Sequence, residues 1–132
     1  MQWPAAALAL TLLLGGNGLV IKELKKGKGP ASITGDWVTV NYTGKLTNGK
    51  VFDSSLNKGR TPLVFQLGTP RIIKGWNLGI TGMKVGGKRK LTIPPELAYG
   101  NRQRGPDIKP NSTLIFTIEL IKISNTDPGG GL

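Results

Sequence analysis

Five aromatic side chains and one acid are spread along the chain where a fold could gather them: Tyr42, Phe52 beside Asp53, Trp76, Tyr99 and Phe116. Brought together, they would make a dry, concave pocket with one carboxylate and two phenols at its wall, suited to an apolar ligand. The chain has no histidine and no cysteine. It therefore lacks the commonest general base and metal ligand, and also any thiolate nucleophile. Nucleophilic and metal chemistry fit poorly, and neither a metal nor a cofactor is expected. Taken singly, each residue has a plainer reading. Large aromatics dominate core burial, so Trp76, Phe116, Tyr42 and Tyr99 read as core rings. Asp53 reads as a turn residue or as the partner of Lys58 or Arg60.

At 132 residues the chain fits one domain with a real core. Lys and Arg number 18 against 7 Asp and Glu, a formal net charge of +11. That balance attracts nucleic acid, anionic membranes or acidic proteins, although many solvated lysines on a soluble protein explain it more readily. In the cluster Lys84, Lys88-Arg89-Lys90, a strand would turn Arg89 opposite to Lys88 and Lys90 and split the patch. Nucleic-acid binding is not expected on this sign alone. Gly82–Gly87 is glycine-rich but lacks dinucleotide or P-loop spacing.

The first 21 residues carry no charge, and Ala5–Leu14 is a run of ten residues, apolar but for Thr11. Such a run is too short to span a bilayer. It suits a signal-peptide hydrophobic region, with Gly16-x-Gly18 as a small-residue cleavage site, though no basic residue precedes it. Residues 1–17 are read as a targeting remnant or a disordered segment, 18–124 as the domain, and 125–132 as a disordered tail. An N-terminal signal would make the protein exported, lumenal or membrane-associated; otherwise it is cytoplasmic.

Several elements could position the rings. Leu19–Leu24 is a short strand candidate. Trp37–Leu46 alternates, with Val38, Val40 and Tyr42 on one face and Thr39 and Asn41 on the other. Thr47-Asn48-Gly49 signals a hairpin, because Asn-Gly tolerates positive φ at both turn positions. Val51–Asp53 is the returning strand, Ser54–Thr61 a polar loop, and Leu63–Leu67 another strand. Ile72–Thr81 reads as a short helix with Ile73, Trp76 and Ile80 at i, i+3, i+7 spacing. Gly75 and Gly79 weaken that helix but allow a strand to approach its backbone. Gly87–Ile93 and Thr113–Ile123 alternate again, the latter placing Leu114, Phe116, Ile118 and Leu120 together. Pro94-Pro95-Glu96 opens a helical turn reaching Tyr99. Gly100–Ser112 is a long irregular loop, of a length that is usually functional or mobile. The sum is an α+β arrangement of antiparallel strands around one short helix.

Seven motifs carry a resemblance: Val40-Asn41-Tyr42-Thr43-Gly44, Val51-Phe52-Asp53-Ser54-Ser55, Ile72-Ile73-Lys74-Gly75-Trp76, Gly82-Met83-Lys84-Val85-Gly86, Leu91-Thr92-Ile93-Pro94-Pro95, Ala98-Tyr99-Gly100 and Pro110–Phe116. In order and spacing they are similar to the FK506-binding protein (FKBP) family of peptidyl-prolyl cis-trans isomerases, over about Gly18 to Ile123. The resemblance implies a five- to six-stranded twisted antiparallel sheet wrapped around one short helix, with the active site between them. Trp76 would form the floor, and Tyr42, Phe52, Ile72, Ile73 and Phe116 the walls. Tyr99 would offer its hydroxyl, the Ile73 N–H would bind a ligand carbonyl, and Asp53 would anchor the pocket edge. Leu63, Arg71 and Ile108 would complete the substrate surface. Leu63 stands where the family often has an aromatic ring. Arg71 and Arg104 make the rim more cationic than in many members, and Pro106-Asp107 occupies a loop tip where glycine or apolar residues are commoner. Implied partners are proline-containing polypeptides and the macrolides tacrolimus and rapamycin, the implied role is to assist protein folding, and the implied state is a monomer. The competing reading is a non-catalytic binding module of the same fold, whose basic rim recruits acidic partners or nucleic acid.

Overall fold

The computed structural model describes residues 11–14 and 18–129. Its long central strand β3 (Trp37–Leu46) buries Val38, Val40, Tyr42 and Gly44 and turns the intervening residues outward. This is the alternation that a half-buried strand requires. One edge of β3 pairs along its whole length with β7 (Leu114–Ser124), which buries Leu114, Phe116, Ile118 and Leu120 on the same side. The other edge is shared by β4 (Val51–Ser54), at the end nearer Leu46, and β5 (Leu63–Gln66), at the Trp37 end. β6 (Lys88–Ile93) lies outside β7, and β2 (Val20–Lys25) outside β6. All pairings are antiparallel, and these six strands lie within 18–124. A further short strand, β1 (Thr11–Leu14), adds to the outer edge of β2. The reading of residues 1–17 as a targeting or disordered segment otherwise lies outside the described residues, as does the end of the tail after Gly129.

The β3–β4 hairpin forms where Asn48-Gly49 predicts it, but with a different turn. Only Gly49 takes positive φ, at 90°; Asn48 does not. The Asn48 side chain instead accepts the Lys50 N–H at 2.9 Å. The helix α1 (Lys74–Ile80) is shorter than the predicted 72–81, because Ile73 is extended (ψ 146°) and stands outside it. Its two glycines do what their positions suggest. Gly75 lies against Ile93, and a Cβ at Gly79 would come 2.6 Å from Leu91 Cδ1, so the helix backbone rests directly on β6.

No basic residue occupies the last turn of α1. Arg89 of β6 supplies that charge from across the interface. Its Nη1 donates to the carbonyls of Gly79 (3.0 Å) and Thr81 (3.1 Å), and its Nε donates to Glu23 Oε2 (3.4 Å). A guanidinium here satisfies carbonyls left over at a helix end and matches the helix dipole. Arg89 is 8% exposed. Its inward turn sends Lys88 and Lys90 outward, so the basic run is split as alternation predicts. β2 then places Lys25 opposite Lys88 and Lys22 opposite Lys90. The core between helix and sheet is apolar, with Val38, Val40, Ile80, Met83, Leu91, Ile93, Leu114, Ile118 and Leu120 essentially fully buried.

Candidate active site

The wall of the site begins with an irregularity in β4. Gly44 pairs with Asp53 and Lys45 with Val51, so Phe52 is an extra residue in a β-bulge. Consecutive residues of a regular strand face opposite sides. The bulge lets Phe52 and Asp53 line the same hollow. Gly44 makes room for the Phe52 and Phe116 rings, since a Cβ there would lie 2.6 Å from Phe116 Cε1 and 2.7 Å from Phe52 Cζ.

Four rings interlock around that point. Trp76 meets Tyr42 at 5.0 Å between centroids and Phe116 at 5.2 Å, both edge to face. Phe116 meets Phe52 at 5.5 Å in the same manner. Edge-to-face contacts of this kind add about 0.5–1.5 kcal/mol each beyond burial. Phe65 of β5 backs Trp76 at 5.8 Å and is itself buried. Sequence reading missed Phe65 as a support, although its alternation with Leu63 and Leu67 carried the signal.

These residues enclose a cavity of about 240 Å³ lined by Tyr42, Phe52, Asp53, Leu63, Arg71, Ile72, Ile73, Trp76, Tyr99, Arg104 and Phe116. Ten of the eleven residues singled out from the sequence therefore share one hollow. Ile108, the eleventh, lines an adjoining hollow of about 260 Å³ with Phe52, Asp53, Tyr99 and Arg104.

Two loops frame the opening. The segment before α1 is held by Asn77, whose side chain accepts the Gly68 N–H at 2.8 Å and donates to the Thr69 carbonyl at 2.9 Å. The loop after Tyr99 folds back on itself. Arg104 and Ile108 exchange backbone hydrogen bonds, and Asn111 N–H donates to the Gly100 carbonyl at 2.7 Å. Asp107 at its tip pairs with Lys50 of the hairpin at 2.7 Å. Arg104 lies over the Tyr99 ring, 5.3 Å from its centroid.

The polar edge is a three-membered network. Tyr42 donates its hydroxyl to Asp53 Oδ2 at 2.7 Å, while Arg60 donates to Asp53 Oδ1 at 2.8 Å and to the Tyr42 oxygen at 3.0 Å. Of the two partners weighed for Asp53, Arg60 is the one that reaches it. Burial pushes the Asp53 carboxyl up, but the hydrogen bonds from Tyr42 and Arg60, with the Arg60 charge, together hold it below the ordinary carboxylate value. Burial and the neighbouring carboxylate push the Tyr42 phenol up. The network thus favours the ionised carboxylate and engages both of its oxygens. Trp76 Nε1–H is buried without an acceptor. Among the described residues, no three His, Cys, Asp or Glu side chains converge as a metal site would require.

The family described as FKBP-type peptidyl-prolyl cis-trans isomerase matches residues 29–121. The chain is similar to the FK506-binding protein of Neisseria meningitidis serogroup B, with 52% identity over 107 residues, covering 81% of this chain and 97% of that protein. It is 53% identical over 105 residues to FK506-binding protein 4 of Dictyostelium discoideum, covering 80% of this chain but only 28% of that longer protein. Among solved structures, FkpA from Escherichia coli superposes with a TM-score of 0.77 at 46% identity, covering 86% of this chain and 51% of that one. The chain belongs to the FKBP-type peptidyl-prolyl cis-trans isomerase family.

Proposed function

We propose that this chain accelerates cis–trans rotation about X-Pro bonds in polypeptides, and so assists their folding, by enclosing the prolyl amide in the aromatic hollow. The cis form of an X-Pro bond lies only about 0.5–1 kcal/mol above trans, yet exchange takes tens to hundreds of seconds. The barrier is loss of amide resonance, and no covalent bond is broken. Water stabilises the planar, charge-separated amide more than the twisted one. A dry pocket that fits the twisted form therefore lowers the barrier, at about tenfold in rate per 1.36 kcal/mol. This chemistry needs shape, dryness and a few donors, and asks for neither histidine nor cysteine.

The observation that carries this reading is the interlocked set of Tyr42, Phe52, Trp76 and Phe116 around one cavity of about 240 Å³. That volume suits a prolyl ring and its amide rather than a whole drug-sized molecule. Trp76 serves as floor, with Tyr42, Phe52, Leu63, Ile72, Ile73 and Phe116 as walls. Tyr99 O–H and Ile73 N–H serve as donors to substrate carbonyls, and Asp53 fixes the wall through Tyr42 and Arg60. Arg71 and Ile108 extend the contact surface. Tacrolimus- and rapamycin-type macrolides enter the same hollow with one ring and lie across its rim with the rest. The chain acts as a monomer.

A proline-isomer peptide assay tests the activity. The observed exchange rate rises in proportion to protein concentration if the proposal holds, and stays at the uncatalysed rate if it fails. Macrolide binding is read separately, by quenching of tryptophan fluorescence on titration with tacrolimus. Saturation at micromolar ligand is expected, and its absence refutes that part alone.

A further inference from the structure

The charges around the mouth do not cancel. Among the described residues there are three ion pairs, Lys50–Asp107, Arg60–Asp53 and Arg89–Glu23. The first two consume both acids of the paired hollows, Asp53 and Asp107. Both Asp53 carboxylate oxygens are already engaged, Oδ1 by Arg60 and Oδ2 by Tyr42. Arg71 and Arg104 line the cavity from two separate loops, are exposed, and belong to none of these pairs.

Both arginines stand on anchored backbone, and the Arg104 side chain is itself held in place. Arg104 rests on the face of Tyr99 at 5.3 Å. The stacking orders its side chain and leaves the guanidinium edges free to donate. Arg71 sits on the segment tied down by Asn77, and its own N–H donates to Thr69 Oγ1 at 3.3 Å. Two guanidiniums beside an apolar cavity, the Arg104 one ordered on Tyr99, offer forked donors suited to a carboxylate. A polypeptide whose proline occupies the cavity must lay its neighbouring residues across this rim.

We infer that Arg71 and Arg104 are specificity-determining residues that select X-Pro sites flanked by an acidic side chain and disfavour sites flanked by a basic one. The inference rests on the isomerase reading above and refines its substrate class. The apolar hollow recognises the prolyl ring whatever its surroundings, and the rim then ranks substrates by the charge next to it. Because both arginines face solvent, the discrimination is modest and salt-sensitive. At low ionic strength a glutamate-flanked site gains about three- to tenfold in kcat/KM over the matching lysine-flanked site, the size expected of two exposed charge contacts.

The test uses three proline peptides identical except for one flanking residue, Glu, Gln or Lys, assayed at about 0.01 M and about 1 M salt, where the screening length falls from about 30 Å to about 3 Å. The expected order of kcat/KM is Glu, then Gln, then Lys, with the spread collapsing in high salt. The double variant Arg71→Gln/Arg104→Gln brings the Glu-to-Lys ratio close to one, and Arg71→Glu/Arg104→Glu inverts it. Each ratio is internal to one protein sample, so a smaller folded fraction in a variant cancels. Equal rates on Glu and Lys peptides at low salt overturn the inference while leaving the isomerase reading intact, as does a preference that survives the double substitution. No turnover of the Gln peptide by the unaltered chain overturns both.

Discussion

Gly44→Ala is the most demanding test of how the site is built. Gly44 sits within β3, opposite Phe116 on one side and Asp53 on the other. A Cβ there falls 2.6 Å from Phe116 Cε1 and 2.7 Å from Phe52 Cζ, against an optimal carbon–carbon separation of about 3.5–4.0 Å. Two effects oppose each other. Removing a glycine from the unfolded chain stabilises the fold by about 0.4–1 kcal/mol. Overpacking costs about 1–3 kcal/mol. Phe116 is 4% exposed and locked edge to face against both Trp76 and Phe52, so its ring cannot yield without moving the floor of the cavity. The clash wins, with a net loss of about 1–2 kcal/mol and a Tm lower by roughly 4–8 °C. Isomerase kcat/KM falls roughly tenfold or more, because a small displacement of the walls spoils the fit to the twisted amide. Gly49→Ala is the control. Gly49 has φ of 90°, and no atom lies within 4 Å of where its Cβ would stand, so the substitution loses stability through backbone strain alone, by about 1 kcal/mol. Urea unfolding and the peptide assay are run on both. If Gly44→Ala matches the unaltered protein, or loses no more activity than Gly49→Ala at equal stability, the account of the rings competing for that space is wrong.

Three further outcomes are expected. Asp53 is held below its ordinary pKa, so its contribution to stability is complete above the unfolded value of about 3.9 and is lost as pH falls through the folded one; Arg60→Met moves the acid unfolding midpoint upward, and an unchanged midpoint in denaturant titrations between about pH 2 and 5 contradicts the network. Arg89→Met strands Glu23 and the Gly79 and Thr81 carbonyls, and is expected to lower unfolding free energy by about 2–4 kcal/mol; a loss under about 0.5 kcal/mol shows that the guanidinium does not secure the helix end. Phe52→Ala and Asp53→Asn should each cut peptide isomerisation at least tenfold while circular dichroism and cooperative melting persist, and full activity in both variants removes them from the site.

The regular parts of the fold are legible because period-2 burial runs long. β3 shows it from Trp37 to Gly44 and β7 from Leu114 to Leu120, and the boundaries of both strands differ from expectation by a residue at most. Trp76 and Ile80 mark the buried side of the helix, and the two glycines announce the strand lying against it. The rings could be listed from sequence, but their convergence rested on resemblance, since each one alone passes for a core residue. What stayed hidden depends on contacts distant in sequence. Nothing local distinguishes Arg60 from Lys58 as the partner of Asp53. Arg89 reads as one member of a basic run until the helix end it serves is in place, 10 residues earlier in the chain at Gly79. The Asn48-Gly49 pair announces a hairpin but not its turn, which the Asn48 side chain helps decide by accepting the Lys50 N–H.

The bulge at Phe52 also ties together two things that surface hairpins usually keep apart, loop length and pocket chemistry. Surface turns commonly absorb insertions without harm. Here one residue gained or lost between Leu46 and Phe52 would shift β4 by a single step against β3, exchange its inner and outer faces, and withdraw the ring or the acid from the cavity. The Thr47–Lys50 turn thus works as a spacer of fixed count, while the Leu56–Gly59 loop beyond Ser55, exposed throughout, is where the chain has freedom to vary.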